Sequence, residues 1–94
     1  MKSLLIGEGA NPPVLQKIMA GLESGDVGRV LHIRTQYIGP EELLVAAKIA
    51  LTPGLPVEAA ARAIDEAESR VRAAVPDARM IYLEPDLDRA SVRR

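Results

Sequence analysis

Cysteine, phenylalanine and tryptophan are absent from the 94-residue chain, histidine occurs once and tyrosine twice. Without cysteine there are no disulfides, no thiolate metal sites and no cysteine nucleophile, a composition compatible with a reducing cytoplasm. With His32 as the only imidazole, neither a His-pair metal motif nor a choice of Ser/His/Asp arrangements can be built. A core without Phe or Trp must be assembled from Leu, Ile, Val, Ala and Met, each of which buries less surface than an aromatic ring. No apolar run approaches the ~18–20 residues that cross a bilayer, and Met1 to Ile6 is too short for a signal-peptide core before Gly7-Glu8, so direct membrane insertion is not expected. Gly7-Glu8-Gly9 lacks the further glycines of a dinucleotide loop. Paired carboxylates in a cleft are not indicated, and an enzyme is not expected.

Twelve basic and thirteen acidic residues are interspersed, leaving a formal charge of −1 and no nucleic-acid footprint. One small domain of this length buries only ~60–65% of the surface its unfolded chain exposes. Such a chain gains from a partner, and a homodimer is the expected assembly.

The central stretch runs from Arg29 to Leu51. Between Val30 and Tyr37 the residues alternate, with Leu31, Ile33 and Tyr37 on one side and His32, Arg34 and Gln36 on the other, the period of a half-buried strand. Gly39-Pro40-Glu41 makes a turn. Leu43, Val45, Ala47, Ile49 and Leu51 then form a second apolar row, with Leu44, Ala46, Lys48 and Ala50 behind it.

Upstream, residues 1–10 are a linker or an extra edge strand, with Ser3 to Ile6 as the candidate strand. Asn11-Pro12-Pro13 predicts a helix start, Asn as N-cap and Pro where a missing donor costs nothing. Leu15, Ile18, Met19 and Leu22 give that helix one buried stripe, and Ser24-Gly25-Asp26 ends it. Downstream, Thr52 to Pro56 is a loop, and a second helix runs from about Pro56 to Ala74. Its expected inner stripe is Val57, Ala60, Ala61, Ile64, Ala67, Val71 and Ala74. Glu58/Arg62, Glu66/Arg70 and Glu68/Arg72 are spaced for ion pairs on its outer side. Pro76-Asp77 closes it, Arg79 to Leu83 reads as a third strand before Glu84-Pro85-Asp86, and residues 89–94 read as a disordered tail.

The order helix, strand, strand, helix, strand predicts an α+β domain over residues 11–88. Both helices should cover one face of a three-stranded mixed sheet, in a two-layer α-β-β-α-β sandwich of ferredoxin-like type, because a strand-helix-strand crossover sets the third strand parallel to the second. The uncovered face would then carry Val30, His32, Arg34, Leu44, Ala46, Lys48, Ala50, Met80, Tyr82 and Glu84. Half of these are apolar, more than a solvent-facing sheet usually shows, which points to a dimer or docking surface. On the same face His32 and Glu84, across the sheet or a two-fold axis, offer a nitrogen and an oxygen ligand for a divalent metal.

Leu31-His32-Ile33-Arg34-Thr35, Gly39-Pro40, Leu44-Val45-Ala46-Ala47, Leu55-Pro56 before an Ala-rich helix, Val75-Pro76, and Tyr82-Leu83-Glu84-Pro85-Asp86 follow one another in an order that resembles the cytoplasmic C-terminal domain of cation diffusion facilitator (cation efflux) transporters. Leu4-Leu5-Ile6-Gly7-Glu8 is similar to the segment after that family's last membrane helix. The resemblance implies a metallochaperone-like fold and a cytoplasmic homodimer that regulates Zn(II)-type cation export, either with a transporter's transmembrane domain as its partner, if it is part of a longer chain, or as a free-standing relative of such a domain. Glu84 matches a family carboxylate ligand. Leu31 stands where well-studied members have a histidine, with His32 one place later, and the positions that carry ligand histidines in some members fall near Ala47, Ala61 and Tyr82. A soluble metal carrier or buffer acting without a transmembrane part is the alternative expectation.

Overall fold

The computed structural model describes residues 9–86. Their order is α1 (Pro12–Leu22), β1 (Val27–Gly39), β2 (Glu42–Leu51), α2 (Val57–Ala74) and β3 (Ala78–Asp86). The described strands form one sheet in the order β1-β2-β3, with β2 antiparallel to β1 and parallel to β3. This is the expected two-layer α-β-β-α-β arrangement. The extra edge strand at Ser3 to Ile6 and the tail at 89–94 lie outside the described residues. Ala10 is not in a strand; its N–H donates to Thr35 Oγ1 of β1 at 2.9 Å.

Helix α1 starts as its sequence dictates. Asn11 Oδ1 accepts from the Val14 N–H at 3.0 Å, filling one of the orphan donors of the first turn. Gly25, at φ +60, takes the left-handed turn beyond the helix end. Ile18 and Leu22 are fully buried, in a core shared with Leu43, Val45 and Ile49 of β2 and with Ala67 and Val71 of α2. Removing each large side chain of this set from water contributes about 1.5–3 kcal/mol.

The inner stripe of α2 differs from the expected one. Ala63, Ala67 and Val71 are buried and Ile64 packs on the core, while Val57 is 83% exposed and Ala61 and Ala74 are also exposed. Val57 and Ala74 lie in the first and last turns of the helix, and Ala61 is about 60° beyond Ile64 at the edge of the stripe, at 100° per residue. In the run Ala59-Ala60-Ala61-Arg62-Ala63 the alanines are too alike for periodicity to choose among them.

β1 carries the second correction. Three register shifts against β2 leave Gly28, Leu31 and Ile38 without directly opposed partners: Val30 faces Ile49 while His32 faces Lys48. Each extra residue turns the strand's alternation over by one. Val30, expected on the open face, therefore packs on the core together with Ile33, and Leu31 does not. The Val30 N–H is held by Glu23 Oε2 at 2.9 Å, from the C-cap residue of α1.

β3 runs three residues beyond its expected end, through Glu84-Pro85-Asp86. Pro85 is tolerated because β3 is an edge strand, where a missing N–H on the open side breaks no ladder.

Candidate functional site

Both helices cover one side of the sheet. Register then fixes what stands on the other, since directly opposed residues point the same way. Across β1, β2 and β3 the open-face rows are Gln36, Leu44 and Met80; Arg34, Ala46 and Tyr82; His32, Lys48 and Glu84; and Arg29, Ala50 and Asp86. Tyr82 is 62% and Met80 42% exposed. Leu44 and Ala46 are half-buried between their neighbours. Ala50, expected to be open, is only 7% exposed, at the centre of the row whose outer members are Arg29 and Asp86.

His32 and Glu84 thus share a face and a row, as anticipated, but on the two outer strands. Two strand spacings, about 9–10 Å, separate their backbones. Lys48 stands between them in register. Two ligands of one zinc ion lie about 2 Å from it, hence within about 4 Å of each other, and an ammonium between them opposes a divalent cation. The structure places the pair on one surface and does not bring them together within one chain. Among the described residues no three His, Asp or Glu side chains converge on a point where an ion could be held.

Lys48 is the residue the sequence left unused. Its Nζ lies 3.9 Å from Asp86 Oδ2, both groups partly exposed, a contact of about 0–1 kcal/mol. Its central position follows from the pairing of β2 with both neighbours, and the bulges in β1 hide that register from any count along the chain.

A depression of about 480 Å³ touches His32, Arg34, Lys48, Tyr82 and Glu84 of the open face and also Ile64 and Glu68 of α2. Residues from both sides of a sheet cannot wall one closed cavity, because the strands run between them. No described helix is long and apolar enough to cross a membrane.

No family model and no curated protein matches the chain. Solved structures do. An aspartate-to-asparagine variant of the MamM CTD in its nickel form superposes with a TM-score of 0.75 at 19% identity, covering 82% of this chain and 98% of that one. A cadmium form of an aspartate-to-glutamate variant gives 0.74 at 19% identity over 81% and 95% of the two chains. A MamM CTD variant with a histidine replaced by alanine gives 0.75 at 20% identity over 83% and 98%. The chain has the fold of the MamM C-terminal domain, a domain from a cation diffusion facilitator protein, and so the fold that its sequence resemblance implied.

Proposed function

We propose that this chain is the cytoplasmic regulatory and dimerisation domain of a cation diffusion facilitator transporter, acting on export of a divalent transition metal such as Zn(II). The observation that carries the reading is the open face of the sheet, where Tyr82 and Met80 remain 62% and 42% exposed beside half-buried Leu44 and Ala46. A chain without Phe or Trp leaves one of its two tyrosines uncovered there. Apolar surface of this kind is what a partner removes from water. In the dimer, His32 of one copy and Glu84 of the other become the candidate metal ligands, a pairing that one chain alone keeps apart. The MamM domains of the same fold have been solved in nickel, cadmium and copper forms, which supports divalent metal as the cargo or effector class.

Sedimentation equilibrium with and without Zn(II), combined with calorimetric titration of the wild type and His32→Ala, tests the reading. A dimer whose metal heat is lost in His32→Ala supports it. Tight metal binding by a monomer would instead favour the soluble carrier.

A further inference from the structure

We infer that the row Arg34, Ala46, Tyr82 is a slot for a flat heteroaromatic anion of the nucleotide kind, with the ring stacked between guanidinium and phenol and the anionic group over the next row, at His32 and Lys48. The site stands on a single chain; only its effect on dimerisation rests on the self-association proposed above.

The slot comes from the size of its middle member. Arg34 and Tyr82 stand on the two outer strands with Ala46 directly between them in register, so two strand spacings, about 9–10 Å, separate their backbones. Ala46 is half-buried and offers one methyl group between two long side chains. Two stacking contacts of about 3.5 Å each span about 7 Å. One flat ring therefore fits between the walls, each leaning in by about 1 Å, and a second ring does not. Both walls are uncommitted. Tyr82 is 62% exposed and Arg34 is exposed, and among the described residues neither makes a hydrogen bond, an ion pair or a ring contact. A guanidinium and a phenol ring both stack on flat conjugated systems.

Charge sets the rest of the ligand. Two residues along the strands, about 6.6–6.8 Å away, the next row sets His32 directly opposite Lys48. Arg34, His32 and Lys48 thus gather on the β1–β2 side, and all three border the same depression as Ala46, Tyr82 and Glu84. Lys48 is held only loosely, its Nζ 3.9 Å from Asp86 Oδ2 with the side chain 47% exposed, a contact that a phosphate can replace. Glu84 is the one unfavourable neighbour. From β3 it opposes an anion, while its oxygens can accept from a sugar hydroxyl or a ring amine. A ring, a short polar spacer and an anion in that order describe a nucleoside monophosphate.

AMP, adenosine and inorganic phosphate titrated separately into the protein, with the backbone amide spectrum followed by NMR, test the site. AMP is expected to saturate, with shifts centred on Ala46 and Tyr82, and adenosine and phosphate to bind at least tenfold more weakly. Ala46→Leu fills the slot and Tyr82→Ala removes a wall, so each should lose tenfold or more in AMP affinity, whereas Tyr82→Phe should keep it within twofold. Glu84→Gln should tighten AMP roughly threefold by lifting the like charge. No saturable AMP binding, AMP affinity unchanged in Ala46→Leu, or phosphate binding as tightly as AMP would each overturn the slot. The amide spectrum of each variant establishes that it is folded. A ring in the slot and a second copy against the same face exclude each other, so AMP should shift a wild-type dimer toward monomer in sedimentation. A monomeric chain that binds AMP would keep the site and overturn the self-association; a dimer that binds none would do the reverse.

Discussion

Arg70 of α2 reaches across to the end of α1, where its Nε donates to the Gly21 carbonyl at 2.7 Å and its Nη2 to the Ser24 carbonyl at 3.0 Å. Those carbonyls belong to the last turn of α1 and the turn after it, which the helix cannot satisfy by itself. One guanidinium thus closes a helix end and fixes the angle at which two helices meet.

Arg70→Ala should therefore cost about 1.5–3 kcal/mol, as for hydrogen bonds to a charged group, and lower the melting temperature by roughly 4–8 °C per kcal/mol. Arg70→Lys should recover only part of this, since an ammonium cannot present two donors in the same fork. Urea unfolding followed by circular dichroism measures both. Arg70→Ala indistinguishable from wild type would remove Arg70 from the account of helix packing.

Next to that contact, Gly21 lets the helices approach closely. A Cβ built there would lie 3.4 Å from both Cγ2 and N of Val71. Gly21→Ala should be accommodated, helped by alanine's higher helix propensity. Gly21→Leu should wedge α1 from α2 and cost about 1–3 kcal/mol. The contrast between the two substitutions, in the same urea experiment, separates close packing from helix propensity.

The bulge at Leu31 gives a sharper test of register. Val30→Asp buries a charge against the core and should cost more than 3 kcal/mol or prevent folding, whereas Leu31→Asp should be tolerated within about 1 kcal/mol. Strict alternation predicts the reverse order. Equal effects would mean that Val30 and Leu31 do not divide between the two faces.

Much of the architecture could be read directly from residue patterns. Asn11-Pro12-Pro13 marks a helix start by supplying a cap and giving up donors that have no use, and the row Leu43, Val45, Ala47, Ile49 can be buried only as a strand. Local chemistry settles such elements. The face assignment of Val30 and Leu31 was not legible, because a bulge depends on the partner strand and on Glu23, seven residues away in sequence, holding the Val30 N–H. The i,i+4 spacing points Arg70 at Glu66, while its hydrogen bonds cross to α1; the same spacing is right for Glu68 and Arg72, which meet at 2.9 Å. At the candidate site, His32, Lys48 and Glu84 could be given one face, but that Lys48 stands between the other two in a single row takes the register of three strands to see.

Metal binding, on this account, belongs to the pair of copies. Zn(II), Ni(II) or Cd(II) titrated into the wild type should bind under conditions where the chain is dimeric, and Glu84→Gln should weaken binding roughly tenfold or more, about 1.4 kcal/mol per factor of ten. Removing metal with a chelator should leave the melting temperature of a monomeric variant unchanged. Unaltered affinity in both His32→Ala and Glu84→Gln would remove these two residues from the metal site.

Most direct is sedimentation equilibrium of the wild type beside Tyr82→Glu, a change that places a charge on the β3 side of the open face without touching the core. The account predicts a reversible dimer at micromolar concentrations for the wild type and a folded monomer, with an unchanged far-ultraviolet spectrum, for Tyr82→Glu. A wild-type chain that stays monomeric across that range, with or without divalent metal, would contradict it.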